Sequence, residues 1–421
     1  MNTRTLVSKF NIGFITSSSI IFAGAFVVNV LNYVFTLVMS RMVGVAAFGE
    51  VTALFSLLLI VSVPAAALSM LMTREAAAQN MSGPGAVREL FGRLQKNVLM
   101  VSGGFWVLFL ASVPFLSHFL QIDVWPLLVF SFMIPITLAS ALQMGTLQGL
   151  QEFFMLSKQN VLSTVVKLAA SIALVMLGFS VIGVILGVVL AQMVSWGYGY
   201  MATHRLLRPD PTSSAQKPFS PLSIRSLFTT ILATTLLLAF LTNLDVLMAK
   251  HFLLPELAGQ YSALSTIGKI LIYGVGAFIT VLLPMVSAAH ADEVGGGRGI
   301  LYLSLSIISC ASLVAYGLFY FFPTAIVEML LGARYLSIAP YLAKFSIAMG
   351  CISLATAFIN YFVAVKNNSF LYLLMGGMLL EVVAFTLNHA TLAAMTSTLV
   401  LSAVVLLVLM ACNFLVFCRP R

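Results

Sequence analysis

Charge is what this chain has least of. Only 8% of its 421 residues are Asp, Glu, Lys or Arg, and only 12 are acidic. A soluble domain carries about a quarter charged residues, so a water-facing surface cannot be assembled from this sequence. A soluble enzyme, a nucleic-acid-binding domain and a disordered chain are excluded. The net charge of +9 therefore needs another explanation than nucleic acid. Cysteine is scarce too. Cys310, Cys351, Cys412 and Cys418 each lie in an apolar segment, without zinc-type spacing, and read as small buried hydrophobes rather than a disulfide framework. Catalytic signatures are missing: there is no GxSxG, HExxH, Walker A, GxGxxG or DxD. The glycine run 295–299 lacks the Lys-Ser/Thr of a phosphate loop, and nothing near His389 makes it a metal ligand. No catalysis, metal or cofactor is expected. Without an ATP site, any transport runs on an ion gradient, on membrane potential or on substrate flow.

What is present is apolar. The AVILMFWYC class makes up 61% of residues, and mean hydropathy is +1.08. Lipid forces backbone polar groups to be satisfied internally, and continuous rather than alternating apolar runs select helices. At about 20 residues per crossing, twelve spans are expected: 13–39, 48–72, 97–119, 124–147, 160–178, 180–203, 227–248, 262–288, 300–322, 338–364, 370–388 and 391–418. The divisions within 160–203 and 370–418 rest on very short turns. The first run follows Arg4 and Lys9, is too long for a signal-peptide core, and no small-residue cleavage site follows it.

The basic residues set orientation. Of the 21, Lys167, Lys269 and Lys344 lie within spans. Arg41, Lys250 and Arg334 fall in exterior loops when the amino terminus is cytoplasmic, and the other fifteen fall inside. That bias places both termini in the cytoplasm. Two cytoplasmic segments stand out. Residues 84–96 put Val87, Leu90, Phe91 and Leu94 on one helical face, which reads as an interfacial helix on anionic headgroups or a topology-setting loop. Residues 204–226 carry Pro209, Pro211, Pro218 and Pro221, a linker composition. The expected organisation is a six-helix bundle over 1–203, a cytoplasmic linker over 204–226 and a second six-helix bundle over 227–421.

The halves echo each other. Met39-Ser40-Arg41 is followed by Gly49-Glu50-Val51-Thr52-Ala53-Leu54, and Met248-Ala249-Lys250 by Gly259-Gln260-Tyr261-Ser262-Ala263-Leu264. An even number of spans per repeat relates the bundles by a pseudo-two-fold axis along the membrane normal and leaves a central cavity suited to alternating access.

An ionisable residue within a span is costly and marks a candidate site. Lys167, Asp245, Lys269, Lys344 and Glu381 are these residues. Lys167, Lys269 and Lys344, with Arg41 at the outer mouth, form a candidate cationic lining for an anionic headgroup, lysine acting on phosphate as a compact point charge. Alternatively each lysine snorkels or satisfies one structural partner. Asp245 is a candidate coupling-ion site or a partner of Lys250 or Lys269. Glu381, 214 residues from Lys167, is a candidate equivalent and ion-pair partner of that lysine. Asn29, Asn32, Gln143 and Asn360 are candidates either for helix–helix glue or for recognition of sugar hydroxyls.

The stretch Met39-Ser40-Arg41-Met42-Val43-Gly44 with Phe48-Gly49 resembles the segment joining the first two spans of polysaccharide transporters. Asn243-Leu244-Asp245, the segment from Pro255 to Ala263, and Pro284 resemble the seventh and eighth spans of the same family, the Wzx-type oligosaccharide flippases of the multidrug/oligosaccharidyl-lipid/polysaccharide exporter superfamily. The resemblance implies a V-shaped pair of six-helix bundles. It implies translocation of a polyprenyl-pyrophosphate-linked oligosaccharide across a bacterial inner membrane. Membrane lipids, a polysaccharide polymerase and other assembly proteins are the implied partners. Lysines rather than arginines in the spans would supply point charges in place of a bidentate grip. The alternatives are a multidrug or cation exporter, a membrane-embedded polymerase or glycosyltransferase, and a structural subunit of an export complex. The topology is testable. In a cysteine-free background, single cysteines at 213 and 330 should react with a membrane-impermeant maleimide from the cytoplasmic and the exterior side respectively, and the reverse pattern would overturn the assignment.

Overall fold

A computed structural model of the chain describes residues 3–80, 84–207, 225–276, 286, 298–365 and 367–417. Among them the structure is all helical. Ten helices are long and apolar enough to cross a membrane, and a bent pair makes an eleventh. The eighth expected span begins at Pro255–Gly268 and stays helical over 270–276, where the described stretch ends. The proline-rich linker and Pro284 also lie outside the described residues.

The chain divides into two compact units, Met1–Val43 with Val61–Arg225, and Gly44–Ile60 with Ser226–Arg421. The first unit holds α1 (Thr3–Met42), α3 (Val63–Asn80), α4 (Pro84–Leu120), α5 (Val124–Ser131), α6 (Met133–Gly149), α7 (Phe153–Met176) and α8 (Ser180–Leu206). The second holds α2 (Val45–Val61), α9 (Arg225–Phe252), α10 (Pro255–Gly268), α11 (Arg298–Phe321), α12 (Pro323–Leu330), a 3-10 turn (Ala333–Ile338), α13 (Ala339–Ala364), α14 (Phe370–Leu387) and α15 (Leu392–Phe417).

Proline explains two breaks. The expected second span is α2 and α3, bent by 40° at Ser62; Pro64 sits in the first turn of α3 and has no N–H for the carbonyl four residues back. The expected fourth span is interrupted at Phe132, three residues before Pro135. The short division between α7 and α8 is a turn with Gly178 at φ 92° and Ser180 at φ 38°, and only the glycine adopts such a conformation without strain.

Two expectations are corrected. Residues 84–96 are not a separate helix lying on headgroups. They open α4, whose 37 residues span about 55 Å at 1.5 Å per residue. Val87, Leu90 and Phe91 pack on Met72, Ala76, Leu142 and Leu207, so that apolar face already has a protein partner. Nor are the described cysteines buried: Cys310 and Cys412 are exposed and Cys351 is intermediate, while Cys418 lies outside the described residues. An apolar exterior explains this, since Phe115, Leu313 and Tyr372 are also largely exposed. A helix that faces lipid does not need protein to cover its apolar side chains.

Small residues set how closely helices approach. Within the first unit a Cβ at Gly187 would strike Ser171, and one at Gly149 would lie 2.6 Å from the Thr73 carbonyl oxygen. Within the second unit, Gly49 of α2 and Gly259 of α10 meet. A Cβ on Gly49 would sit 2.9 Å from the Gly259 Cα, and a Cβ on Gly259 would strike the Val45 carbonyl oxygen. These glycines are the first residues of the repeated motif, so the two copies touch at equivalent positions. Beside the crossing, Lys250 Nζ lies 3.7 Å from Glu50 Oε1, an ion pair too long for a hydrogen bond, and Phe48 packs edge-on to Tyr335. Lys250, expected in an exterior loop, is 1% exposed in the last turn of α9. Gly259→Ala should lower thermal stability by about 1–3 kcal/mol, the cost of overpacking against backbone. Gly274→Ala, where a Cβ meets nothing within 4 Å, should not. Fluorescence-detected size exclusion after heating checks both, and equal melting of the two variants would contradict the close crossing.

Candidate functional site

The second unit gathers buried charge. Asp245 lies in α9, Lys269 caps the end of α10, and Glu381 lies in α14. Lys269 Nζ donates to Asp245 Oδ1 at 3.1 Å, and the Ser265 hydroxyl donates to Asp245 Oδ2 at 3.0 Å. Ser265 and Lys269 are four residues apart, so one helical face presents both donors. Asp245 is 1% exposed and Lys269 7% exposed, which places the pair out of water. Glu381 is also 1% exposed, and among the described residues neither of its carboxylate oxygens has a hydrogen-bond partner. Asp245 and Lys269 both act on it electrostatically, and Tyr261 of α10 feels both carboxyls. The Tyr261 hydroxyl is buried and without a partner among the described residues. Two carboxyls facing one ammonium leave one negative charge too many for a dry site. Neutrality requires one proton or one cation more, because an uncompensated buried charge is very costly.

The first unit holds a half-buried cation in a span, Lys167. Lys167 of α7 donates from Nζ to Asn32 Oδ1 of α1, and the ammonium sits 4.4 Å from the centroid of the Phe35 ring. Among the described residues it has no carboxylate partner. An amide oxygen and a ring face stabilise the ammonium without cancelling its charge.

The remaining candidates are dispersed. Arg41 is exposed at the carboxyl end of α1, and Asn29 is exposed on the same helix. Lys344 is exposed and donates to the Ser397 hydroxyl at 2.6 Å. Asn360 donates to the Thr356 carbonyl on its own helix at 2.9 Å. Gln143 is buried against Gly199, beside Gln159, whose amide donates to the Ser195 carbonyl at 3.0 Å. Lys167, of the first unit, bonds to Asn32, and Glu381, of the second, has no hydrogen-bond partner among the described residues. Sequence reasoning passed over Ser265, Phe35 and Tyr261. The four-residue spacing of Ser265 and Lys269 was the available signal for the first; nothing in a linear pattern points to the ring beneath Lys167.

A family model described as polysaccharide biosynthesis protein matches residues 14–290. The chain belongs to this family. No curated protein matches this chain. Its fold is that of the MOP superfamily. An inward-facing multidrug resistance MATE transporter of that superfamily superposes with a TM-score of 0.69 at 13% identity, covering 92% of this chain and 93% of that one. A MOP superfamily transporter from Pyrococcus furiosus, whose binding pocket is described as reversed in polarity, gives a TM-score of 0.62 at 13% identity, with 96% and 94% covered. The lipid II flippase MurJ, in an inward closed conformation, gives 0.61 at 13% identity, with 95% and 88% covered.

The pairing of Asp245 with Lys269 predicts strong coupling. Asp245→Asn alone should strand a buried ammonium and cost about 3–5 kcal/mol, while the double variant Asp245→Asn with Lys269→Met should recover most of that loss. Thermal unfolding of the detergent-solubilised single and double variants measures it, and additive losses would contradict the pair.

Proposed function

We propose that this protein is a flippase for a polyprenyl-pyrophosphate-linked oligosaccharide, acting in surface polysaccharide biosynthesis by alternating access in a bacterial inner membrane. The observation that carries the proposal is Lys167, an ammonium in a membrane span whose only partners among the described residues are an amide and a ring. Such a cation is costly in lipid unless an anion comes to it, and a pyrophosphate headgroup is the anion that polysaccharide assembly offers. Family membership supports the same substrate class. Arg41, exposed on the same unit as Lys167, serves as a secondary contact for the headgroup. Membrane lipids surround the protein, and a polysaccharide polymerase and further assembly proteins act with it.

Lys269 is assigned a different role from Lys167. Its charge is spent on Asp245, so it serves the driving step rather than the headgroup. Glu381, without a hydrogen-bond partner among the described residues, carries the proton or cation that keeps the cluster neutral and whose release couples flipping to a gradient. An exporter of organic cations is the weaker reading, because Asp245 already has a cation in Lys269 and the ionised group in the span of the first unit is the cation Lys167.

Lys167→Ala should lower surface-polysaccharide export about tenfold or more, the worth of one charge-assisted hydrogen bond, at unchanged protein level. Lys167→Arg should restore much of it. Complementation of a strain lacking the gene, read by polysaccharide immunoblot, measures both. Full export by the alanine variant would sink the assignment of Lys167.

A further inference from the structure

The first unit contains a cleft of about 440 Å³ that the reading above does not use. Small-ligand sites run from about 300 to 1,000 Å³. Its walls are α3 and α6, with Gln192 contributed by α8. The two walls run parallel and are pinned at one end, where Gly145 and Gly149 bring α6 against the Ser69 and Thr73 carbonyl oxygens. The cleft lies mainly on the amino-terminal side of that pin. No charged residue lines it. Ala65, Ala66, Met70, Ala141 and Met144 make the wall mainly apolar, and Thr73, Thr137, Ser140, Gln148 and Gln192 supply its polar groups.

These groups are poorly occupied by each other. Thr73 reaches Gln148 at 3.4 Å and Gln192 reaches Thr137 at 3.4 Å, both at the long limit of a hydrogen bond. Ser140 is 4% exposed, and its hydroxyl has no partner among the described residues. Leaving a buried hydroxyl unmade is expensive, and two slack amide–hydroxyl pairs exchange readily with an incoming ligand. An uncharged ligand with an apolar face and a few hydroxyls, small enough for a cleft between two helices, fits such a lining. We infer that this cleft is a binding subsite for a neutral sugar ring, recognised through Ser140, Thr137 and the amides of Gln148 and Gln192. The inference rests on the flippase reading and assigns the sugar to a different place from the pyrophosphate held at Lys167.

The test uses the full chain in lipid nanodiscs and three probes: bare undecaprenyl pyrophosphate, and the same lipid carrying a neutral hexose disaccharide or a neutral N-acetylhexosamine disaccharide. Affinities are measured for wild type, for Ser140→Ala with Thr137→Val, and for Ala141→Phe, which fills the cleft. Wild type should bind at least one glycolipid about tenfold tighter than the bare lipid, since a site built to bond hydroxyls discriminates against their absence. Both variants should erase that preference while binding the bare lipid as wild type does, which also shows that they are folded. Three results overturn the inference. Preference retained in both variants places the sugar elsewhere and leaves the flippase reading intact. Equal loss of bare-lipid and glycolipid binding in Ala141→Phe makes the occupant the isoprenoid chain. No binding of any probe by wild type removes the flippase reading and this subsite with it.

Discussion

Hydrocarbon cannot donate or accept a hydrogen bond, and the organisation of this protein follows from that. Backbone polar groups must be closed within helices, so the described residues form helices joined by short turns. Side-chain polarity has to be resolved inside the protein as well. Serines and threonines bond back to their own helix, as Thr146 does to Leu142 and Thr396 to Leu392. Longer polar groups reach a neighbouring helix, as Gln159 does to Ser195. The few ionised groups in spans then stand out, because each requires its own neutralising arrangement.

Close packing is the other consequence. Between helices in lipid the hydrophobic effect contributes little, and association depends on contact and polar glue. Glycine and serine therefore mark where helices touch: Gly187 on Ser171 in the first unit, Gly350 beside Ser312 and Gly49 on Gly259 in the second. The last contact joins the two copies of the sequence repeat. It sits beside a buried Lys250–Glu50 pair, so close approach and charge compensation occur at one place. The same device opens the cleft in the first unit, where Gly145 and Gly149 pin α6 to α3.

The charged groups divide by the company they keep. Lys269 is neutralised by Asp245 and supported by Ser265, whereas Lys167, among the described residues, has an amide and a ring. Residues of one type, each identified as an ionisable group in a span, thus acquire different chemistry from their neighbours. Asn32, one of several asparagines with equal claim in the linear pattern, becomes significant because it meets Lys167. Asn360 loses that claim because its amide is spent on its own helix.

Composition and the length of apolar runs determined the class of this protein and most of its spans, because the cost of exposing a peptide group to lipid is the same whatever the partner helices are. The repeated Gly-x-x-(Thr/Ser)-Ala-Leu motif was visible for the same reason: it is local. Breaks at Ser62 and Phe132 were legible only in part, since Pro64 and Pro135 announce a missing N–H but not whether the helix bends or stops. The partners of Lys167, Lys269 and Glu381 were beyond reach of any linear pattern. They lie 135 residues away for Lys167 and 24 for Lys269, and Glu381 has no hydrogen-bond partner among the described residues. Which side chains meet depends on how helices rotate and cross, and that is settled by packing between surfaces rather than by the periodicity of any one of them.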